Sequence, residues 1–227
     1  MSDADPGAPE PGPHADPYSG PHTVETVAQD IFRRALNLLL HPAETWDAIE
    51  AEPDTIERLF RHWVVPLAAI PAIAGALGRI SFGSFRIFGI HFYRPNFLWA
   101  IGDAVASYAL TLISVYLLAL VIDHFAIQFG GERSRTQAFK VAAYSGTAAW
   151  VAGVFMLLPT AGGVFALLGG LYSLYLLYLG LPKLMRSAPV YTLNYFALTL
   201  VAAFVMAIVI GSVTSRAVNY GGPFWID

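Results

Sequence analysis

Between residues 24 and 40 (VETVAQDIFRRALNLLL) hydrophobic positions recur at helical spacing. Val24, Val27, Ile31, Ala35, Leu38 and Leu39 fall on one stripe, with Gln29, Asp30, Arg33, Arg34 and Asn37 largely opposite. This pattern predicts an amphipathic helix. Seventeen residues interrupted by charge make a poor span, so the helix is expected to lie in the membrane interface or to pack on a bundle. His41–Pro42 stops it, and Pro42 suits the first turn of a second short helix, AETWDAIEAE, which Pro53 ends. Trp46 and Ile49 form the apolar edge of this second helix. Trp46, and Trp63 at the head of the next segment, are expected to anchor at headgroup depth.

Five long apolar segments follow, to be measured against the roughly 20 helical residues that cross a hydrocarbon core of about 30 Å. The first, Trp63–Gly78, has 16 residues and contains Pro66 and Pro71. It borrows Leu59 and Phe60, and neighbouring helices must cover its freed carbonyls. The second runs Phe97–Phe129, with an uncharged stretch, Ala104–Ile122, of 19 residues. Val141–Leu158 and Ala161–Pro182, joined by only Pro159 and Thr160, predict a tight antiparallel hairpin. Leu193–Val213 is the fifth. The loop Ile80–Asn96 (ISFGSFRIFGIHFYRPN) partly alternates bulky with polar or glycine positions, as an interfacial hairpin or strand pair would.

The predicted fold is therefore an all-α membrane protein, a bundle of about five transmembrane helices preceded by cytoplasmic amphipathic helices. Composition agrees: 56% of residues are hydrophobic and 13% charged, against roughly 25% charged in soluble domains. Twelve of the 16 acids lie in residues 1–57. The net charge of −3 thus describes an acidic head on a nearly neutral body, which excludes the basic field that nucleic acid needs. Without cysteine there is no disulfide, thiolate metal site, cysteine nucleophile or S-palmitoylation. Residues 1–23 hold six prolines and three glycines before any apolar run, and are expected to be a disordered acidic tail without a signal peptide. The expected division is this tail, amphipathic helices over 24–58, five spans over 59–216 and a short tail over 217–227.

Basic residues near span ends set orientation. One side holds Arg33, Arg34, Arg58, Arg61, Arg133, Arg135, Lys140, Lys183 and Arg186; the other holds Arg79, Arg86, Arg94 and Arg216. This excess puts the amino terminus in the cytoplasm and the carboxyl terminus outside.

Candidate chemistry is sparse. Asp103 and Asp123 lie within a span, where an ionisable residue suggests function. Their separation of about 30 Å favours one at each interface, with Asp123 paired to Arg133 or Arg135. His124 has no second histidine on its helix face and reads as interfacial. Neither a G-x-S-x-G elbow nor a G-x-x-x-x-G-K-[ST] phosphate loop occurs, and no catalytic residue, metal or cofactor is expected. Tyr172, Tyr175 and Tyr178 form a stripe suited to packing or to a polar conduit. Ala68/Ala72/Ala76 and Gly162/Ala166/Gly170 would let backbones approach within a compact bundle or at a dimer face.

The stretch from Val115 to Arg186 carries VYLLALVIDHFAIQFGGERSRTQAFKVAAYSGTAAWVAGVF and GGLYSLYLLYLGLPKLM, and HPAETWDAIEAE precedes the first span. In order and spacing these resemble the bacterial branch of the Yip family, the Ypt/Rab-interacting membrane proteins, over most of the chain after residue 36. The resemblance implies a five-span bundle with a cytoplasmic amino terminus. The family pattern near Tyr144 is a Tyr-Ser pair, then Thr-Pro, then Trp. Tyr144, Ser145, Thr147 and Trp150 match, whereas Ala148 stands where proline is usual, which leaves open the kink that proline would impose. The terminal Tyr220-Gly-Gly-Pro-Phe-Trp-Ile226 is similar to a motif that eukaryotic relatives carry before their first span; at this end it reads as coincidence or as an interfacial Trp225 anchor. Those relatives act in vesicle traffic through small GTPases, but likeness of fold does not transfer function.

The resulting expectation is a non-enzymatic protein of the bacterial inner membrane that organises bilayer lipid or partner membrane proteins, with a homo-oligomer among the options. The alternative is a small transporter or channel subunit with Asp123, Tyr144, Tyr172, Tyr175 and Asn194 along a polar path. An intramembrane enzyme is a more distant third.

Overall fold

A computed structural model describes residues 24–82, 97–158 and 161–220. The expected disordered tail 1–23, most of the loop 80–96, the Pro159–Thr160 link and Trp225 lie outside the described residues. Regular structure is helical, with no strand among the described residues. Helices α1 (Val24–Leu40) and α2 (Pro42–Ala51) form the head. The segments α3 (Ile56–Ser81), α5 (Arg135–Leu157) and α6 (Gly162–Met185), with α4 (Phe97–Phe125) and α7 (Thr192–Tyr220), are long and apolar enough to cross a membrane.

Helix α3 is longer than the 16-residue apolar run suggested, because Thr55 caps its start by accepting a hydrogen bond from the Arg58 amide at 3.3 Å. A five-residue π turn, Phe60–Val64, precedes Pro66. In a regular helix the Pro66 ring would clash with the carbonyl four residues back, and the widened turn absorbs that conflict. It also turns Trp63 and Val64 inward while Arg61 and His62 stay exposed. From α4, Tyr108 donates to the Val65 carbonyl at 3.0 Å, just past the π turn.

Helix α5 starts at Arg135, where the Ser134 hydroxyl accepts from the Gln137 amide, six residues before the expected Val141. Lys140 is therefore inside a span and not at its edge. The helix is interrupted at Gly146, two residues before Ala148, and it tightens into a 3-10 turn over Gly153–Leu157. The Ala149 amide donates at 2.9 Å to the Ser173 hydroxyl of α6, so the neighbouring helix satisfies the interruption. Helix α6 continues past Pro182 to Met185, and Arg186 ends it in the left-handed region at φ 50°. Helix α7 runs to Tyr220, so its end passes the expected boundary at 216.

Helix α5 is the centre of the bundle, packed against α3, α4 and α6, while α7 lies at the periphery against α4 and α6. Mean hydropathy follows: 1.2 in α5 against 2.3 in α7. A helix enclosed by protein can carry Lys140, Ser145 and Thr147, whereas one facing lipid cannot afford them. The loops after α4 and α6 are tied together where Glu132 N donates to the Met185 carbonyl and Ala188 N to that of Phe129. Gly130 supplies the left-handed φ of 70°, and Gly131 the close approach to Met185.

Of the small residues expected at four-residue spacing on α6, Gly162 makes a tight contact with α5, but the other close approach is at Gly169 and not at the expected Gly170. A Cβ on Gly169 would stand 2.4 Å from Ala152 Cβ and 2.9 Å from the Ala148 carbonyl oxygen, whereas Gly170 has open space. Gly169→Leu is therefore expected to lower the thermal unfolding midpoint in detergent, at a cost of roughly 1–3 kcal/mol or more, and Gly170→Leu to leave it unchanged. Equal midpoints for the two variants would contradict this packing.

Candidate functional site

A network of polar contacts, with the buried Lys140 and Thr147 in it, joins the head to α5 and α6. Both head helices end without a basic residue in the last turn, so their terminal carbonyls need donors from elsewhere. The bundle provides them. Lys140 is 2% exposed, and its Nζ donates to the Ile49 carbonyl at 2.7 Å and to the Glu52 carbonyl at 2.6 Å. Gln137 Nε2 reaches the Glu50 carbonyl at 3.2 Å. From α6, the Tyr172 hydroxyl donates to the Leu39 carbonyl at 2.7 Å, and Lys183 Nζ reaches the Ala43 carbonyl in the first turn of α2 at 3.0 Å. Lys183 also pairs with Asp47 at 2.5 Å, and Arg186 with Glu50 at 3.5 Å. A cation at the end of α2 gains from the negative pole of the helix as well as from its hydrogen bonds.

An aromatic seat lies beneath these donors. The Tyr144 ring meets that of Trp63 at 4.7 Å and the edge of Trp46 at 6.2 Å, and the Arg34 guanidinium stands 5.1 Å from its centroid. Arg34 also pairs with Glu52 across the end of α2. Trp63 Nε1 donates to the Thr147 hydroxyl at 3.2 Å. Trp46 lies against Gly180, where a Cβ would stand 2.5 Å from Cζ2 of the ring. Trp46 is 0% exposed and Trp63 4%; both expected headgroup anchors are instead enclosed by protein, because Gly180 makes room for Trp46 and the Tyr144 ring packs against both.

The structure brings Tyr144, Thr147 and Tyr172 of the expected candidates to this junction. Ser145 is buried one residue on, bonded to the Ala142 carbonyl at 3.2 Å, and the Trp150 ring folds back over Gly146. Asp123 is elsewhere. It is buried on α4, and its Oδ2 accepts from Arg133 at 3.1 Å while Oδ1 has no partner. Next to it, Tyr195 donates to the Ile122 carbonyl. Asp103 pairs with Arg79 at 2.6 Å near the far end of the bundle. Tyr175 and Tyr178 are exposed on α6, with Tyr178 edge-on to Phe196. Asn194 and His124 are exposed. Of the side chains expected along a polar path, Tyr144 and Tyr172 meet at the junction and Tyr175 adjoins Tyr172 at 5.5 Å, whereas Asp123 and Asn194 lie elsewhere.

Sequence reasoning missed Lys140, Gln137, Arg34 and Glu52 as a set. Their only local signal is a lysine within a segment that the structure buries, since the partners lie about ninety positions away. The arrangement is one of ammonium, amide and phenol donors closed on backbone carbonyls. Among the described residues, no group of three or more His, Asp or Glu could hold a metal ion.

The Yip1 domain family model matches residues 36–212. The chain is 27% identical over 191 residues to "Inner membrane protein YohC" of Escherichia coli strain K12, across 81% of this chain and 95% of that protein. The protein of the same name from Escherichia coli O6:H1 strain CFT073 gives the same figures. No solved structure matches.

Lys140→Met keeps the apolar stem and removes the ammonium, leaving two carbonyls without their donor. The variant is expected to lose about 1.5–3 kcal/mol of head docking per charged hydrogen bond. Hydrogen exchange of the α2 amides in detergent should be at least tenfold faster than in the parent, with α6 unchanged. Unaltered exchange in α2 would show that these bonds do not hold the head.

Proposed function

The chain belongs to the Yip1 domain family of membrane proteins, and from that premise we propose that it is a non-enzymatic, multi-pass protein of the bacterial inner membrane. In this reading its docked head and compact bundle organise membrane lipid or partner membrane proteins, with a second copy of the chain among the partners. The observation that carries the reading is the head itself: α1 and α2 are fastened to α5 and α6 through their own carbonyls. The junction is built for holding one segment against another, and Tyr144, Thr147 and Trp63 serve as its seat. The relatives' name supports the inner membrane as the location, and the excess of basic residues supports a cytoplasmic amino terminus.

A second reading, a small transporter or channel subunit, draws on the buried Asp123 carboxylate, whose Oδ1 lacks a partner. It requires solute or ion flux in proteoliposomes that falls in Asp123→Asn.

Cross-linking in intact membranes should return a reproducible partner protein or lipid class with the parent chain, and markedly less with Lys140→Met. Absence of any reproducible partner, together with no lipid preference in vesicle binding, would contradict the proposal. For orientation, a reporter fused after residue 95 is expected outside and one after residue 188 in the cytoplasm; the reverse pattern would overturn the inferred topology.

A further inference from the structure

We propose that the α1–α2 hairpin is a re-entrant wedge seated in the leaflet on the amino-terminal side, with Phe32, Leu36 and Leu40 against lipid acyl chains. The register of the head along α6 carries the first half of this. Going from the end of α6 toward its start, the contacts come in order: Arg186 with Glu50, Lys183 with Asp47 and the Ala43 carbonyl, Gly180 with Trp46, and Tyr172 with the Leu39 carbonyl. Helix α2 therefore packs on the Gly180–Arg186 end of a spanning helix, and the end of α1 reaches further along it, to Tyr172. Tyr172 precedes Lys183 by eleven residues, about 16 Å of helix. Half of the hydrocarbon core is about 15 Å, so the His41–Pro42 corner points toward mid-membrane.

The second half comes from the surface of α1. At about 100° per residue, Ile31, Ala35 and Leu38 face the bundle, and Ala35 and Leu38 are buried. From Phe32 onward the apolar arc continues past that contact without a polar break: Phe32 is 69% exposed, Leu36 42% and Leu40 63%. Only then does the polar arc begin, with Arg33 and Asn37 exposed. An apolar column twice as wide as the bundle covers needs a second apolar neighbour. Continuity supplies it: Leu40 follows Leu39, whose carbonyl is bonded to Tyr172, and Tyr172 is flanked on α6 by the exposed Leu168, Leu171 and Tyr175. These belong to the membrane-facing surface of a spanning helix. Arg33, with a long stem beside the column, suits the phosphate layer at its edge. One side of the hairpin thus meets lipid chains and the other faces water.

The chain has no cysteine, so the test needs no background substitutions. Single cysteines at Leu36, Leu40, Asn37 and Leu171 are spin-labelled in the full chain, reconstituted in vesicles of phosphatidylethanolamine and phosphatidylglycerol. Labels at Leu36 and Leu40 should be relaxed by dissolved oxygen in preference to a water-soluble nickel chelate, as at Leu171, with the preference reversed at Asn37. A Leu36 label that nickel relaxes as strongly as the Asn37 label would mean water and overturn the wedge. A Leu36 label reached by neither agent would mean a covering protein, a second copy included, and would overturn it as well. The wedge deepens the lipid side of the proposed function. Failure to recover partners with the oxygen preference intact would sink that function and leave the wedge standing.

Discussion

The last turn of a helix leaves carbonyls without amide partners, and the docking of the head depends on how α5 and α6 answer those of Leu39, Ile49 and Glu50. Lys140 is the costliest part of the answer. An ammonium removed from water loses several kcal/mol of hydration, and two carbonyls at 2.6 and 2.7 Å return it as charge-assisted hydrogen bonds at the negative end of α2. Neither side of this contact is stable without the other, since the lysine needs acceptors and the helix end needs a donor. That mutual requirement explains why α2 runs beside the spans and does not float on the membrane surface.

The same requirement shapes the bundle. To hold Lys140, Gln137 and Thr147 away from lipid, α5 must be enclosed, which α3, α4, α6 and the head together achieve. The π turn in α3 directs Trp63 at Thr147 and Tyr144, and Gly180 in α6 admits the ring of Trp46. Substitution at Gly180 would act on the junction through packing alone, whereas a change at Trp63 or Thr147 would also remove the hydrogen bond between them. Tyr144 is in this light the floor on which the head rests, with Thr147 holding Trp63 beside it.

The spans were legible because oil selects for long uncharged runs, and the α1 and α2 boundaries because His41–Pro42 and Pro53 are local signals. Lys140 was not legible as a cap. A lysine near a span end reads as a marker of the boundary, and its acceptors lie about ninety residues away. Trp46 and Trp63 read as headgroup anchors for a similar reason: aromatic residues near a boundary usually meet lipid, and nothing beside them in the chain announces Gly180 or Tyr144. The tyrosine stripe of α6 split for a reason that periodicity cannot express, since Tyr172 faces the head while Tyr175 and Tyr178 stay exposed. In α1 the expected stripe includes Ile31, Ala35, Leu38 and Leu39 at the bundle, while Val24 and Val27 have side chains outside the described set. Phe32, Leu36 and Leu40 needed the structure to be seen as a second apolar column.

The central claim is that the head is held in one place on the spans, in a bilayer. Pulsed electron spin resonance between labels at Ala48 on α2 and Leu171 on α6, in the otherwise cysteine-free chain, measures it directly. A single narrow distance distribution in liposomes is the predicted result. A broad or many-peaked distribution would show a head that wanders, and would contradict the account.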